Sequence, residues 1–209
     1  MKLEDIIKII PPTTHPVALG GCYAEQNNFD CCVYDITIFD QSNRPESIIE
    51  KNNELFKIHH CGLNENRVEI LIQLQNMQIL HDEQWELQMF LKKINQKQEL
   101  IFNAFTKNCI IESQICLTKA KNGLDKSDPF VSSWIKSAGY FLTDAILSLN
   151  KCRPSPSHML DTLRNLKPNR INETLSIILN LLGLERSTPS VSYTHLRAHE
   201  TLRYLVCRL

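Results

Sequence analysis

The spacing of apolar residues changes character along this chain, and the changes mark its elements. In "CVYDITIFD" apolar and polar positions alternate, which predicts a strand with Val33, Asp35, Thr37 and Phe39 on one face. Ahead of it, "HPVALGG" is a brief apolar strand that runs into glycines. The opening "LEDIIKII" carries helical spacing and is stopped by Pro11-Pro12. After a turn at "SNRP", the positions of Ile48, Ile49 and Leu55 predict a helix over "PESIIEKNNELFKIHH". "NRVEILIQL" alternates once more. As a strand it puts Glu69, Leu71 and Gln73 on one face and Val68, Ile70, Ile72 and Leu74 on the other. "NMQILHD" is predicted as a short extra strand.

From Asp82 the period lengthens to that of a helix. The run "DEQWELQMFLKKINQKQELIFNAFTKNCIIESQICLTKAKNG" is predicted as long and helical, with Asp82 as N-cap and Gly123 as stop. A second helix begins near Ser127-Asp128-Pro129, with proline in its first turn, and runs through "FVSSWIKSAGYFLTDAILSLN". The breaker "RPSPSH" precedes two shorter helices, "HMLDTLRNL" and "NETLSIILNLLGL". The pattern therefore predicts an α+β protein. A small mixed sheet with helices occupies residues 1–81, and an all-α helical bundle follows over residues 82–190. Residues 191–209, "VSYTHLRAHETLRYLVCRL", have no cap and no clear period, and they resemble the translation of a transposase-type sequencing adapter. They are set aside from the fold, and the helical domain is expected to continue beyond Ser190 in a longer chain.

Charge and cysteine usage narrow the classes. The chain has 23 basic and 23 acidic residues; without the three arginines and one glutamate of residues 191–209 the balance is 20 against 22. So neutral a balance predicts no strong generic attraction to nucleic acid or to an anionic membrane. No apolar run reaches the length of a membrane span, and the charged start is too short for a secretory signal, so the expectation is a cytoplasmic protein. Cys31 and Cys32 are adjacent, Cys22, Cys61, Cys109, Cys116 and Cys152 are scattered, and Cys207 falls in the final segment. With no C-x-x-C pair, a structural zinc cage is not expected, and the thiols read as small buried hydrophobes.

One constellation in the first half carries chemistry. Gly20 and Gly21 close the first strand, Cys22, Tyr23 and Ala24 follow, Asp35 and Thr37 lie on the next strand, and Glu69 lies on a later one. This order resembles the nucleotidyltransferase superfamily, in its minimal and antibiotic-modifying branches. "WIKSAGYFLTDAILSLNKCRPSPSHMLDTLRNL" is similar to the helical domain that often follows such folds. The resemblance implies that Gly20, Gly21 and Cys22 cradle the phosphates of a nucleoside triphosphate, and that Asp35 and Glu69 are metal-holding acids. It implies Mg²⁺ as cofactor and transfer of a nucleoside monophosphate to an acceptor hydroxyl. Two carboxylates at alternate strand positions stand about 6.6–7 Å apart on one face. They can hold ions about 3.5–4 Å apart that stabilise the attacking and leaving oxygens of a phosphoryl displacement.

The same positions depart from the family's pattern. Thr37 stands where the second acid is wanted, Cys22 replaces a serine, and Glu25-Gln26 replace basic and glycine residues. Each change weakens anion or metal binding, so Mg²⁺ affinity is expected to be weak or lost. Three readings stand. The first is a nucleotidyltransferase with a weakened site. The second is a degenerate nucleotide-binding or protein-interaction module, homodimeric or partnered through its helical domain. The third is a helical-domain ribonuclease using Arg153 and His158 of "RPSPSH", whose spacing matches an Arg-x4-His pattern. His59-His60 beside Cys61 is predicted as a surface turn before Gly62. Phe90, Phe102, Phe105, Trp134, Tyr140 and Phe141 are expected to serve core or dimer packing.

Overall fold

The computed structural model describes residues 6–7, 9–10, 13–26, 28, 32–42, 44–167 and 175–182. Pro11-Pro12, Cys31, half of the predicted first helix and residues 191–209 lie outside the described residues. Contacts divide the chain into two compact units, Met1–Asn108 with Leu147–Thr162, and Cys109–Ile146 with Leu163–Leu209.

The first unit holds a five-stranded mixed sheet. Its strands are β1 (Val17–Gly20), β2 (Tyr34–Ile38), β3 (Ser47–Lys51), β4 (Glu54–His60) and β5 (Gln78–His81), in the order β3-β4-β2-β1-β5. β1 runs antiparallel to β2 and β5, β3 antiparallel to β4, and β2 parallel to β4. The protein is therefore α+β, as its pattern predicts, and the two central strands of the motif pair in register with Gly20 opposite Asp35. Tyr34, Ile36 and Ile38 of β2 join Val17, Leu19, Phe56 and Ile58 in one buried apolar cluster. Tyr23 stacks on Tyr34 with ring centroids 3.7 Å apart, and Tyr34 stacks on Phe56 at 5.0 Å. Because strand side chains alternate, filling this face with the even residues turns Asp35 and Thr37 to the other.

Two predicted elements change type. The helix expected over residues 45–60 is instead the β3–β4 hairpin. Asn52 and Asn53 join the strands with φ of 54° and 65°. Positive φ at both loop residues is the signature of the two-residue turn whose twist matches its strands. Ile48, which contributes to the helical spacing, is 70% exposed and marks no core face. In the other direction, the predicted strand "NRVEILIQL" begins with the short helix α2 (Val68–Leu71); α1 (Gly21–Ala24) precedes it after β1. Glu65 accepts hydrogen bonds from the backbone amides of Asn66 and Arg67 and ties down the Arg67 side chain, setting the turn that leads into α2. The Arg67 hydrogen bond, assisted by those amides against burial, holds the Glu65 carboxyl down at about 2.

Helices follow from residue 86. The run predicted as long and helical breaks at Lys97 into α3 (Glu86–Gln96) and α4 (Gln98–Leu124). Asp82 does accept the Gln88 amide at 2.9 Å, although Trp85, with φ of 61°, occupies the N-cap position itself. After α4, the Gly123 carbonyl accepts the amides of Lys126 and Asp128, and Asp128 in turn accepts the Phe130 amide ahead of α5 (Val131–Leu149). The shorter helices are α6 (Met159–Arg164) and α7 (Leu175–Leu182). Within the second unit, Ser113 donates to the Ala138 carbonyl, and Lys119 lies 4.3 Å from the Trp134 ring centroid. A side chain at Gly139 would meet Leu181 and Leu182 at 3.3 Å. No helix among the described residues is long and apolar enough to cross a membrane.

Candidate functional site

The side of the sheet bearing Asp35 and Thr37 borders a cavity of about 590 Å³. Gly20, Gly21, Cys22, Asp35, Thr37 and Glu69, the residues marked out by the sequence, all line it. Gly21 turns the chain from β1 into α1 with φ of +68°, a conformation that glycine adopts without penalty. It is also needed for space, since a Cβ there would collide with the Asp35 carboxylate. The glycine turn and the first acid are thus one packed feature. Thr37 lies two positions along β2 and is 5% exposed.

Glu69 reaches this cavity by a route other than the predicted one. It stands on α2, not on a strand, and its Oε1 accepts a hydrogen bond from Asn108 Nδ2 at 2.9 Å. On the side of β2 away from β1 lies β4, whose parallel register sets Lys57 opposite Asp35 and His59 opposite Thr37. His59 Nε2 lies 3.6 Å from Asp35 Oδ1, and its Nδ1 is 2.8 Å from Glu46 Oε1. Lys57 Nζ is 2.8 Å from the other Glu46 oxygen. This Lys57 contact, with the His59 charge and against partial burial, holds the Glu46 carboxyl below the usual carboxylate range. The predicted surface turn at His59-His60 is therefore corrected to the end of a strand. His60 Nδ1 lies 2.8 Å from Asp40 Oδ2.

The loop ahead of α6 supplies the remaining wall through Arg153, Ser155, Pro156 and Ser157. Arg153 Nε donates to Glu25 at 3.1 Å, and its Nη1 donates to Gln73 Oε1 at 3.2 Å. The negative charge that Glu25 brings to the glycine turn is thus matched by an arginine 128 residues away in sequence. His158 is 4% exposed, and its Nε2 lies 3.0 Å from Cys32 Sγ. A buried imidazole and an arginine held by a carboxylate offer RNA no exposed pair, which leaves the ribonuclease reading without geometric support. Cys22 Sγ lies 3.9 Å from Ser155 Oγ. Burial pushes the Cys22 thiol up from its ordinary value, against the Ser155 hydrogen bond.

A second cavity of about 670 Å³ is lined by Ile38, Ile49 and Ile58 on the core side of the sheet, with Asp40, Arg44 and His60 at its polar wall. It contains neither Asp35 nor Thr37. The first cavity is the one that gathers the constellation.

Mg²⁺ chemistry requires oxygen ligands, preferably carboxylates that can share an ion. Among the groups facing Asp35 and Thr37, β4 contributes Lys57 and His59, and the nearby Glu46 is engaged by both. Thr37 offers no carboxylate beside Asp35, and of the other acids in the lining Glu46 is engaged by Lys57 and His59 and Glu69 by Asn108, a poor fit to a two-ion centre. Lys57 and Glu46 escaped the sequence reading, and His59 and Arg153 were noticed there only in other roles, as a surface turn and as half of an Arg-x4-His pair. Glu46, Lys57 and His59 belong to the hairpin and its approach, which the pattern presents as a helix, and Arg153 is recruited across the chain.

No family model and no curated protein sequence matches the chain. Among solved structures it is similar to a nucleotidyltransferase-like protein from Exiguobacterium sibiricum, with 12% identity and a TM-score of 0.37. The match covers 86% of this chain and 70% of that one.

Proposed function

We propose that the protein is a nucleotidyltransferase-like module that binds a nucleoside triphosphate in the Asp35 cavity and has lost most or all transfer activity. The reading rests on one observation above the others. The glycine turn packs on Asp35, while the places around that acid are taken by Thr37, Lys57 and His59. Lys57 and Arg153 line the cavity, each paired with a carboxylate, Glu46 and Glu25, which phosphate oxygens would have to share or displace. Gly20 and Gly21 allow close approach of the backbone, and Cys22 offers a weak donor beside them. Loss of one shared metal ligand costs on the order of 3–5 kcal/mol of transition-state stabilisation, roughly 10²–10⁴ in rate. Dependence on Mg²⁺ is correspondingly weak.

Incubation of the full chain with α-labelled nucleoside triphosphates and a mixed pool of RNA, protein and small-molecule hydroxyls tests the proposal. Saturable binding without labelled product is the expected result. Transfer of label well above the background rate would show that the chemistry survives, and no binding at all would remove the nucleotide from the account. Thr37→Asp supplies the missing carboxylate and should raise Mg²⁺ affinity in the nucleotide complex by about tenfold.

A partner surface is the second reading, favoured by a specific feature of α4. Ile111 and Ile115, one helical turn apart, are 56% and 40% exposed, and Ile110 beside them is 50% exposed. We propose that this stripe packs against a second protein or a second copy of the chain. Sedimentation of the native protein and of Ile111→Lys distinguishes an associating species from a monomer that the charge leaves unchanged.

A further inference from the structure

Among the described residues, one group of three His, Cys, Asp or Glu side chains brings its ligand atoms close enough to share an ion: Cys22, Cys32 and His158. We propose that these three residues form a zinc site. The site does not require the nucleotide reading, although Cys22 held by zinc as a thiolate would no longer donate a hydrogen bond to phosphate.

The geometry comes from three separate parts of the first unit. Cys22 sits in α1 immediately after the glycine turn, Cys32 lies just before β2, and His158 just before α6. Their sulfur and nitrogen atoms all lie within 4.8 Å of one another, and the Cys32 Sγ to His158 Nε2 distance is 3.0 Å. Bond lengths of about 2.3 Å to sulfur and about 2.0 Å to nitrogen put tetrahedral zinc ligands about 3.5–3.8 Å apart. The three atoms therefore reach ligand spacing by small side-chain movements. All three residues are buried, at 7%, 9% and 4% exposure for Cys22, Cys32 and His158.

The donor set decides which metal. Two thiols and an imidazole are soft to borderline ligands and favour Zn²⁺, whereas Mg²⁺ and Ca²⁺ take oxygen. Three protein ligands are one fewer than a closed structural site holds, which leaves a coordination position for water or an anion. Cys22 and Cys32 both line the Asp35 cavity, so that position is supplied from the cavity. Bound zinc would tie the glycine turn to the start of β2 and to the loop that carries Arg153 and Ser155. Sequence spacing concealed the set, because nine residues separate the two cysteines and His158 lies 126 positions beyond Cys32.

The test is metal titration of the full chain in reducing buffer after removal of metal by a chelator. Co²⁺, used as a spectroscopic substitute, should give thiolate-to-cobalt charge-transfer bands and the intense visible bands of tetrahedral coordination. Zn²⁺ should bleach them at one equivalent, and excess Mg²⁺ should not. Competition against a chromophoric chelator should show Cys22→Ser, Cys32→Ser and His158→Ala each weakening Zn²⁺ binding by more than about 100-fold, since loss of a supporting contact alone costs 10–100-fold. Cys152→Ser should leave it unchanged. Should a ligand variant fail to fold, the wild-type spectrum and a zinc-dependent rise in its melting temperature still decide the matter. Absence of charge-transfer bands in the wild type would overturn the site, as would full retention of zinc in folded Cys32→Ser or formation of a Cys22–Cys32 disulfide in place of metal binding.

Discussion

At the level of single residues, Gly21 ties the backbone to the candidate chemistry. Its positive φ and its contact with the Asp35 carboxylate both exclude a side chain. Gly21→Ala should lower unfolding stability by at least about 2 kcal/mol, the left-handed penalty plus displacement of the carboxylate. Urea denaturation measures the loss. Asp144 makes a second prediction, in the other unit. Burial pushes its carboxyl from the ordinary 3.8 up to about 6. Between these values the native state keeps a proton that the unfolded chain has lost, so stability falls as pH rises through that window and stays lowered above it. A shift of that size corresponds to about 3 kcal/mol. Asp144→Asn should raise the urea midpoint at pH 8 and leave it nearly unchanged at pH 3.5; a stabilisation equal at both values would contradict the sign. The glycine pair, Asp35 and Thr37 were legible in the sequence because spacing along two strands is local information. Cys32 with His158, and Glu25 with Arg153, were not, because nothing in a linear spacing encodes a contact made across more than a hundred residues.

Elements show where local patterns mislead. β1, β2 and β5 were readable from short apolar runs bounded by turns, and the helices after residue 86 from their period. The β3–β4 hairpin was not, since Ile48, Ile49 and Leu55 mimic helical spacing while the decisive residues are Asn52 and Asn53. Hairpin turns of this geometry prefer glycine at the second position. Asn53→Gly should stabilise the protein by up to about 1 kcal/mol, whereas Asn53→Val should destabilise it by about 1–2 kcal/mol. Thermal melts of the two variants should therefore shift in opposite directions. Reading the hairpin correctly matters for function, because it is β4 that brings Lys57 and His59 beside Asp35 and Thr37. Glu69 illustrates the converse: its assignment to a strand was wrong in element type, yet α2 delivers it to the same cavity.

For the molecule as a whole, charge and fold constrain what the cavity can serve. With 23 basic and 23 acidic residues, the chain has no excess charge to draw in a polyanion. Binding to random duplex DNA or to heparin should be undetectable at physiological ionic strength in a filter or column assay. A steep salt-dependent retention would contradict this balance. Lys57 and Arg153, paired with Glu46 and Glu25, are instead placed to meet a small phosphorylated ligand held inside the cavity. A nitrogen-15 NMR titration of the full chain with a nucleoside triphosphate tests that claim most directly. The account predicts saturable shifts at the amides of Gly20, Gly21, Thr37 and His59, reproduced in part by inorganic triphosphate. Shifts confined to other residues, or none at millimolar nucleotide, would contradict it.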